Sequence, residues 1–128
     1  MLSLGDQKEK ITRINSEELI SAQKADEDIG PVYTTMMTRE RTPTRKMKDF
    51  SRASQLLFQQ KNKISFENGV LVRKTVGATQ IILPKIYRNL VYEELHGKLG
   101  HLGSEKVVEL ARKRLYWPYI WQKKLIFI

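Results

Sequence analysis

The 128-residue sequence has no cysteine, two histidines and no long apolar run. Without cysteine, disulfides and thiolate-bound metal are excluded within the chain. No apolar stretch approaches the roughly 18 residues that a membrane-spanning helix needs. The first residues, MLSLGDQKEK, lack the basic-then-apolar order of a secretory signal. These absences predict an intracellular protein that is not bound to a membrane, with nuclear localisation left open.

Motifs of common enzyme classes are also missing. Neither of the glycine-rich phosphate-binding patterns GxxxxGK and GxGxxG occurs, and no serine lies in a glycine-flanked strand-to-helix turn. The sequence therefore does not predict nucleotide chemistry or nucleophilic catalysis.

Positive charge is in excess and is unevenly distributed. The chain has 23 Lys and Arg against 14 Asp and Glu, a net charge of +9. Residues 1–38 carry four basic and seven acidic side chains, whereas residues 39–63 carry eight basic and two acidic ones. A basic body of this kind predicts a polyanionic partner, most simply nucleic acid. The alternative is a solvated basic surface that serves solubility.

The N-terminal third contains helix signals followed by a basic segment. Ser16 is a predicted helix cap, and Gly30-Pro31 is the predicted end of that helix. A second short helix is predicted through Val32–Met37. Residues 38–48, TRERTPTRKMK, are predicted to form a linker or a mobile arm.

The middle of the chain changes from helical to strand periodicity. Ser51 is a predicted cap for a short amphipathic helix, and the Asn68-Gly69 pair is a strong hairpin signal. We expect strands at about 64–67, 70–75 and 79–83, with Gly77 in the second turn. So small a sheet must pack on helices.

Two further helices are predicted near the C-terminus. Pro84 opens the first, whose apolar face includes Ile86 and which ends near Gly97. Ser104 caps the second, whose inward face reaches Leu115. Two helices joined by a short glycine-bearing turn have the outline of a helix-turn-helix.

Together these signals predict an α+β fold that is mainly α. It would comprise a small, helix-turn-helix-like helical bundle preceded by a short antiparallel hairpin or three-stranded sheet. We expect a helical, partly disordered extension with a basic linker at residues 1–49 and one domain at residues 50–128.

His96 and His101 lie five positions apart and suggest a metal site. Zinc in proteins takes about four nitrogen, sulfur or carboxylate ligands, and the nearby candidates are glutamates rather than cysteines. Two alternatives stay open at this point. The histidines could cap a helix end, or they could hold a hydrolytic zinc with an open position.

Several motifs in a fixed order resemble the HHCC zinc-binding domain of integrases from gypsy-type LTR retrotransposons, or of host genes derived from them. These motifs are a Gly-Val-Leu hairpin strand (69–71), an Ile-Leu-Pro strand end (82–84), ELH (94–96), GHLG (100–103) and YWP (116–118). The combination is specific, although each element alone is not. The resemblance covers residues 64–118.

The resemblance implies zinc bound by two histidines and a later pair of cysteines. His96 and His101 fall on the histidine pair. The cysteines should follow the second histidine by about 30 residues, whereas 128 minus 101 leaves only 27 residues after His101. We therefore expect a copy truncated before the cysteine pair, with a metal half-site and with zinc binding compromised. We also expect no enzyme, because the catalytic core of an integrase would lie beyond residue 128.

The function predicted from the sequence is that of a non-catalytic integrase fragment from a retrotransposon, with weak, non-specific nucleic-acid binding as its remaining part in DNA integration. The basic arm at residues 39–48 and six other cations are the candidate contacts, namely Lys106, Arg112, Lys113, Arg114, Lys123 and Lys124. The alternatives are a protein-interaction or self-association module using the apolar residues 125–128, and a nonfunctional translated remnant. Tyr116 and Trp117 are predicted core residues rather than base-stacking ones.

Overall fold

The computed structural model describes residues 14–99, 109 and 111–119, with the side chains of all but residues 94–99. It confirms the predicted mixed α+β fold. The elements whose bounds lie within the described residues include the helices α1 (Ser16–Ala25), α2 (Ile29–Met37), α3 (Arg52–Gln59) and α4 (Arg88–Leu99), and the strands β1 (Ile64–Glu67), β2 (Val70–Thr75), β3 (Ala78–Ile82) and β4 (Leu115–Tyr116). The mainly helical content and the helix-turn-helix bundle stay predictions, because residues 100–108 lie outside the described part.

Helix α1 begins one residue earlier than predicted. Its cap is Asn15, whose Oδ1 accepts a 2.8 Å hydrogen bond from the Glu18 N–H. The Asn15 side-chain amide donates in return to Glu18 Oε1 at 3.0 Å. The prediction that Ser16 caps the helix was therefore wrong, since asparagine performs that role and Ser16 is the first helical residue.

The prediction that Gly30-Pro31 ends the first helix was also wrong. Helix α1 ends at Ala25, and Asp26 has extended backbone angles. Asp26 Oδ1 then accepts hydrogen bonds from the N–H groups of Asp28 and Ile29, at 2.8 and 3.0 Å. Gly30 and Pro31 lie in the first turn of α2, where the missing proline N–H leaves no hydrogen bond unmade.

Helix α3 has the predicted cap. The Ser51 hydroxyl accepts a hydrogen bond from the Ser54 N–H at 3.0 Å. Between α2 and α3, residues 38–46 form turns and irregular backbone, and Met47–Asp49 form a single 3-10 turn. The role of residues 38–48 as a linker or a mobile arm stays a prediction.

The predicted hairpins are confirmed. Strand β2 pairs antiparallel with β1 and with β3, in the order β1-β2-β3. Asn68 and Gly69 both have positive φ, 52° and 84°, as a two-residue hairpin turn with mirror-image twist requires. This short-range signal fixes the register, in which Glu67 lies opposite Val70.

Glycine at position 69 supports packing as well as the turn. Gly69 and Gly77 have similar left-handed φ, +84° and +81°, but only a Cβ at position 69 would contact another side chain, at 2.9 Å from Ile20 Cδ1. We expect Gly77→Ala to lower the free energy of unfolding by about 1–2 kcal/mol through backbone strain alone. Gly69→Ala should cost about 1 kcal/mol more, because the end of the Ile20 side chain must move. Urea unfolding of both variants checks this, and equal losses would contradict a packing role for Ile20.

A fourth strand was not predicted. Leu115 and Tyr116 form β4, which pairs parallel with β3 so that Ile81 lies opposite Leu115 and Ile82 opposite Tyr116. Residues 111–114 before it are helical. Leu115 is buried as expected, but it is in a strand rather than on the inward face of a helix. The predicted helix therefore ends before Leu115, because Leu115 and Tyr116 add to the sheet edge.

Helices cover both faces of the sheet. Val70 and Val72 point to one face and pack in a cluster with Leu19, Val91 and Trp117. The opposite face forms a second cluster with residues of α2 and α3, namely Ile29, Val32, Tyr33, Leu57, Phe58, Ile64, Leu71 and Ile82. Residues from before and after position 49 thus share both clusters. The domain boundary at 49/50 stays a prediction.

Helix α4 differs in detail from its prediction. Residues Lys85–Tyr87 form a 3-10 turn after Pro84, and the α-helix starts at Arg88 and continues through Leu99, past Gly97. Ile86 is 69% exposed, so its expected place on the inward face was wrong. Within the described residues, no helix combines the length and the apolar character that crossing a membrane requires.

Candidate nucleic-acid interface

The structure describes part of the predicted contact set. Arg112, Lys113 and Arg114 lie in the helical segment just before β4, and Arg112 and Lys113 are exposed. His96 belongs to α4, but its side chain is not described. The other predicted site residues lie outside the described residues, namely His101, Lys106, Lys123 and Lys124, as do the apolar residues 125–128 of the self-association alternative.

The sheet edge holds the backbone of this basic segment. The Gln80 side-chain amide donates to the carbonyl of Arg112, and the Leu83 N–H donates to the carbonyl of Tyr116 at 2.9 Å. Leu115 between them is 2% exposed. Since the backbone is fixed at both ends, the three basic residues project from a defined position beside β3.

Tyr116 joins this edge to the end of α3. Its hydroxyl accepts a 2.8 Å hydrogen bond from the Gln60 side-chain amide. Arg73 lies over the tyrosine ring, with its Cζ 4.4 Å from the centroid. The same guanidinium donates to Gln60 Oε1 at 2.6 Å and to Gln80 Oε1 at 2.7 Å. These contacts hold the tyrosine in place, and its partly buried ring packs against both core clusters. The prediction that it does not stack on bases stays a prediction.

The basic arm reaches the same end of α3. Lys61, the neighbour of Gln60, donates from Nζ to Thr42 Oγ1 at 3.3 Å and to the Glu40 carbonyl at 3.5 Å. Lys61 and Lys63 belong to the 3-10 turn that follows α3. The arm therefore contacts Lys61, and the adjacent Gln60 contacts Tyr116, which lies two residues after Arg114. The sequence carries no local signal for these contacts, because they join residues far apart in the chain.

Acidic residues nearest to the start of α4 are engaged within the fold. Lys85 pairs with Glu27, and its Nζ lies 3.1 Å from Asp28 Oδ2. The hydrogen bond to Glu27 is the main reason why the pKa of Lys85 is raised above its ordinary value. Burial, by contrast, lowers the pKa of Arg88, which nearby Asp26 and Asp28 partly offset. Lys85 and Arg88 thus serve the fold and are not part of the candidate interface.

One comparison with known protein families relates to this C-terminal segment. Residues 83–123 match the family model for the integrase zinc binding domain. The match begins just after β3 and includes the ELH, GHLG and YWP motifs. The Gly-Val-Leu motif of the hairpin, at residues 69–71, lies before the matched segment. The matched family is a metal-binding and not a catalytic one. No curated protein and no solved structure matches the chain.

The ligands of these 128 residues do not fit a complete zinc site of the HHCC kind. The sequence has two histidines and no cysteine. Among the described residues, no group of three or more His, Cys, Asp or Glu could hold a metal ion. His96 and His101 therefore stay a predicted half-site that supplies two of the four ligands of such a centre.

Proposed function

We propose that the chain is a non-catalytic, integrase-derived module of gypsy-type retrotransposon origin that binds nucleic acid weakly and without sequence preference. The observation that carries the proposal is the match at residues 83–123, a segment that contains Arg112, Lys113 and Arg114. The proposal implies an intracellular location, and the nucleus if the partner is chromosomal DNA.

Charge and geometry support contact with phosphate groups rather than with base edges. The exposed cations belong to turns and to a helix end, and two of the neighbouring aromatic side chains are engaged in the fold, because Arg73 covers Tyr116 and Trp117 is 3% exposed. Lysine and arginine contacts to phosphate carry no sequence information. Their strength comes largely from counterion release, so the affinity depends steeply on salt.

The test is a titration of a labelled duplex of mixed sequence, monitored by fluorescence anisotropy at several salt concentrations. We expect binding at low salt that weakens as salt rises. Replacing Arg112, Lys113 and Arg114 together with glutamine should weaken binding roughly tenfold or more at low salt. The salt dependence should also become shallower, by about 0.9 in log–log slope for each phosphate that the variant no longer neutralises. No binding of the unaltered chain at low salt would refute the proposal.

Two controls separate charge loss from damage to the fold. Arg112 and Arg114 also interact within the protein, so circular dichroism must show that the triple variant melts as the parent does. Lys113→Gln alone removes one exposed charge and should reduce binding on its own. Lys24→Gln removes the same charge from α1 and should leave affinity nearly unchanged, because Lys24 belongs to neither basic segment and its ammonium lies over the Tyr33 ring.

A further inference from the structure

Helix α2 ends in a turn whose left-handed position is usually occupied by glycine. The Glu40 N–H donates to the Thr35 carbonyl at 3.1 Å, and the Arg39 N–H donates to the Met36 carbonyl at 3.3 Å. This pair of hydrogen bonds defines a Schellman motif, whose left-handed residue here is Arg39, with φ of 58°. Left-handed backbone is unfavourable for a residue with a Cβ, and glycine is the usual occupant. An arginine at this position is therefore strained.

The strained turn directs the chain towards the end of α3. Directly after it, the Glu40 carbonyl and the Thr42 hydroxyl accept hydrogen bonds from Lys61 Nζ. Arg39 and Arg41 flank Glu40, so their Cα atoms lie about 3.8 Å from its Cα. The backbone that carries the two arginines is thus held next to the ammonium of Lys61, the first residue of the 3-10 turn Lys61–Lys63.

Positive charge at this turn is not balanced by nearby acids in the sequence. Residues 39–48 and 61–63 contain seven basic side chains and one carboxylate, that of Glu40. Arg39, Arg41 and Lys63 are exposed. Clustered like charges do not stabilise a fold, so neither backbone preference nor charge explains an arginine at position 39. A polyanionic ligand explains both the arginine in left-handed backbone and the cluster of positive charge.

We propose that Arg39, Arg41, Lys61 and Lys63 form a phosphate-contact site outside the segment that matches the integrase family, and that the Arg39 guanidinium contacts phosphate from its strained position. This inference rests on the proposed function, and it adds a second contact site to that of residues 112–114. Gln60, the neighbour of Lys61, donates a hydrogen bond to the Tyr116 hydroxyl, two residues after Arg114. Contact of one nucleic-acid backbone with both sites is part of this proposal.

The variant Arg39→Gly tests the inference, because we expect it to raise the melting temperature and to lower the affinity for nucleic acid. Because glycine relieves the strain, we expect the melting temperature to rise by about 4 °C. Because glycine offers no cation to the phosphate backbone, we expect affinity for the labelled duplex at low salt to fall about threefold to tenfold. A residue that only shapes the turn would change the melting temperature and leave the affinity unchanged.

Arg41→Gly is the matched control. It removes the same charge next to the same turn, but Arg41 is not in left-handed backbone, since Arg39 is the positive-φ residue of this segment. We expect a similar loss of affinity with no gain in melting temperature. An unchanged affinity of Arg39→Gly, with the parent chain binding normally, would overturn the second site and leave the proposed function standing. Failure of the parent chain to bind would overturn both.

Discussion

Replacing Gln23 with leucine should lower the free energy of unfolding by roughly 3–5 kcal/mol, because it leaves three buried backbone groups without a hydrogen-bond partner. The Gln23 amide donates to the carbonyls of Leu71 and Ile82, at 2.9 and 2.8 Å. Its Oε1 accepts from the Leu71 N–H at 2.8 Å. Gln23 itself has no exposed surface.

The position of Gln23 explains why the loss should be large. Strands β2 and β3 pair from Thr75 and Ala78 up to Val72 and Ile81. Beyond that pair, the glutamine side chain occupies the place of the next ladder contact and bonds to both strands. Water cannot replace it, because Leu71 and Ile82 are fully buried. Leucine has a similar volume, so the measured loss reports the missing hydrogen bonds rather than a cavity.

Urea unfolding at neutral pH measures this loss. Gln59→Leu is the matched control, since it makes the same chemical change at an exposed position of α3 and should alter stability by less than about 0.5 kcal/mol. Gln23→Glu gives a second comparison, because it keeps the acceptor for the Leu71 N–H and removes both donors. If Gln23→Leu is as stable as the Gln59→Leu control, the amide does not tie the two strands together.

Local signals predicted the hairpins and the cap of α3 accurately. The turn at Asn68-Gly69 depends on backbone preferences of two adjacent residues, and the cap at Ser51 depends on a hydroxyl three residues from its donor. Such signals are complete within a few residues. The sequence therefore predicted strands at 64–67 and 70–75 with the observed bounds.

Features built from distant residues could not be predicted in this way. Gln23 reads as an ordinary polar position of an amphipathic helix, although its partners lie 48 and 59 residues away. Strand β4 has only two residues, and its existence depends on pairing with β3. Gly30-Pro31 suits the end of one helix and the first turn of the next equally well. The structure has it in a first turn, because Asp26 accepts a hydrogen bond from the Ile29 N–H at the start of α2.

In the candidate interface, too, local features could be predicted from the sequence and contacts between distant residues could not. The sequence identified Arg112, Lys113 and Arg114 and the arm at 39–48 as basic segments, because charge is visible in composition. It could not show that Lys61 contacts the arm or that Gln60 contacts Tyr116, since those contacts span 19 to 56 residues. The segment that matches the integrase family thus packs on a sheet that precedes it, and the structure joins it to residues outside the match.

Removing the indole of Trp117 should test that packing most directly. Trp117 is 3% exposed and lies in the cluster with Leu19, Val72 and Val91. Its ring meets that of Tyr92 edge-on at 6.1 Å. We expect Trp117→Ala to lower the free energy of unfolding by about 3–5 kcal/mol, as for other buried aromatic residues. Trp117→Phe should recover most of this loss, because phenylalanine refills much of the cavity.

The contact with Arg88 adds to the stability that Trp117 gives the fold. The Arg88 Cζ lies 5.2 Å from the centroid of the indole ring. Two of the guanidinium nitrogens, Nε and Nη2, are buried without a hydrogen-bond partner. The face of the ring therefore offers this charge a cation–π contact that alanine cannot replace, and indole provides it better than phenyl. Trp117→Phe should consequently remain somewhat less stable than the parent chain.

Tyr119→Ala is the control for Trp117→Ala, because it removes an aromatic side chain two residues away that is 51% exposed. It should cost less than about 1 kcal/mol in urea unfolding. The same variants separate a core role from base stacking. A core Trp117 predicts a large loss of stability, with duplex affinity preserved under conditions where the variant is folded. If Trp117→Ala instead keeps its stability and loses affinity, Trp117 contacts nucleic acid, and the helix α4 that packs against it is held by other contacts.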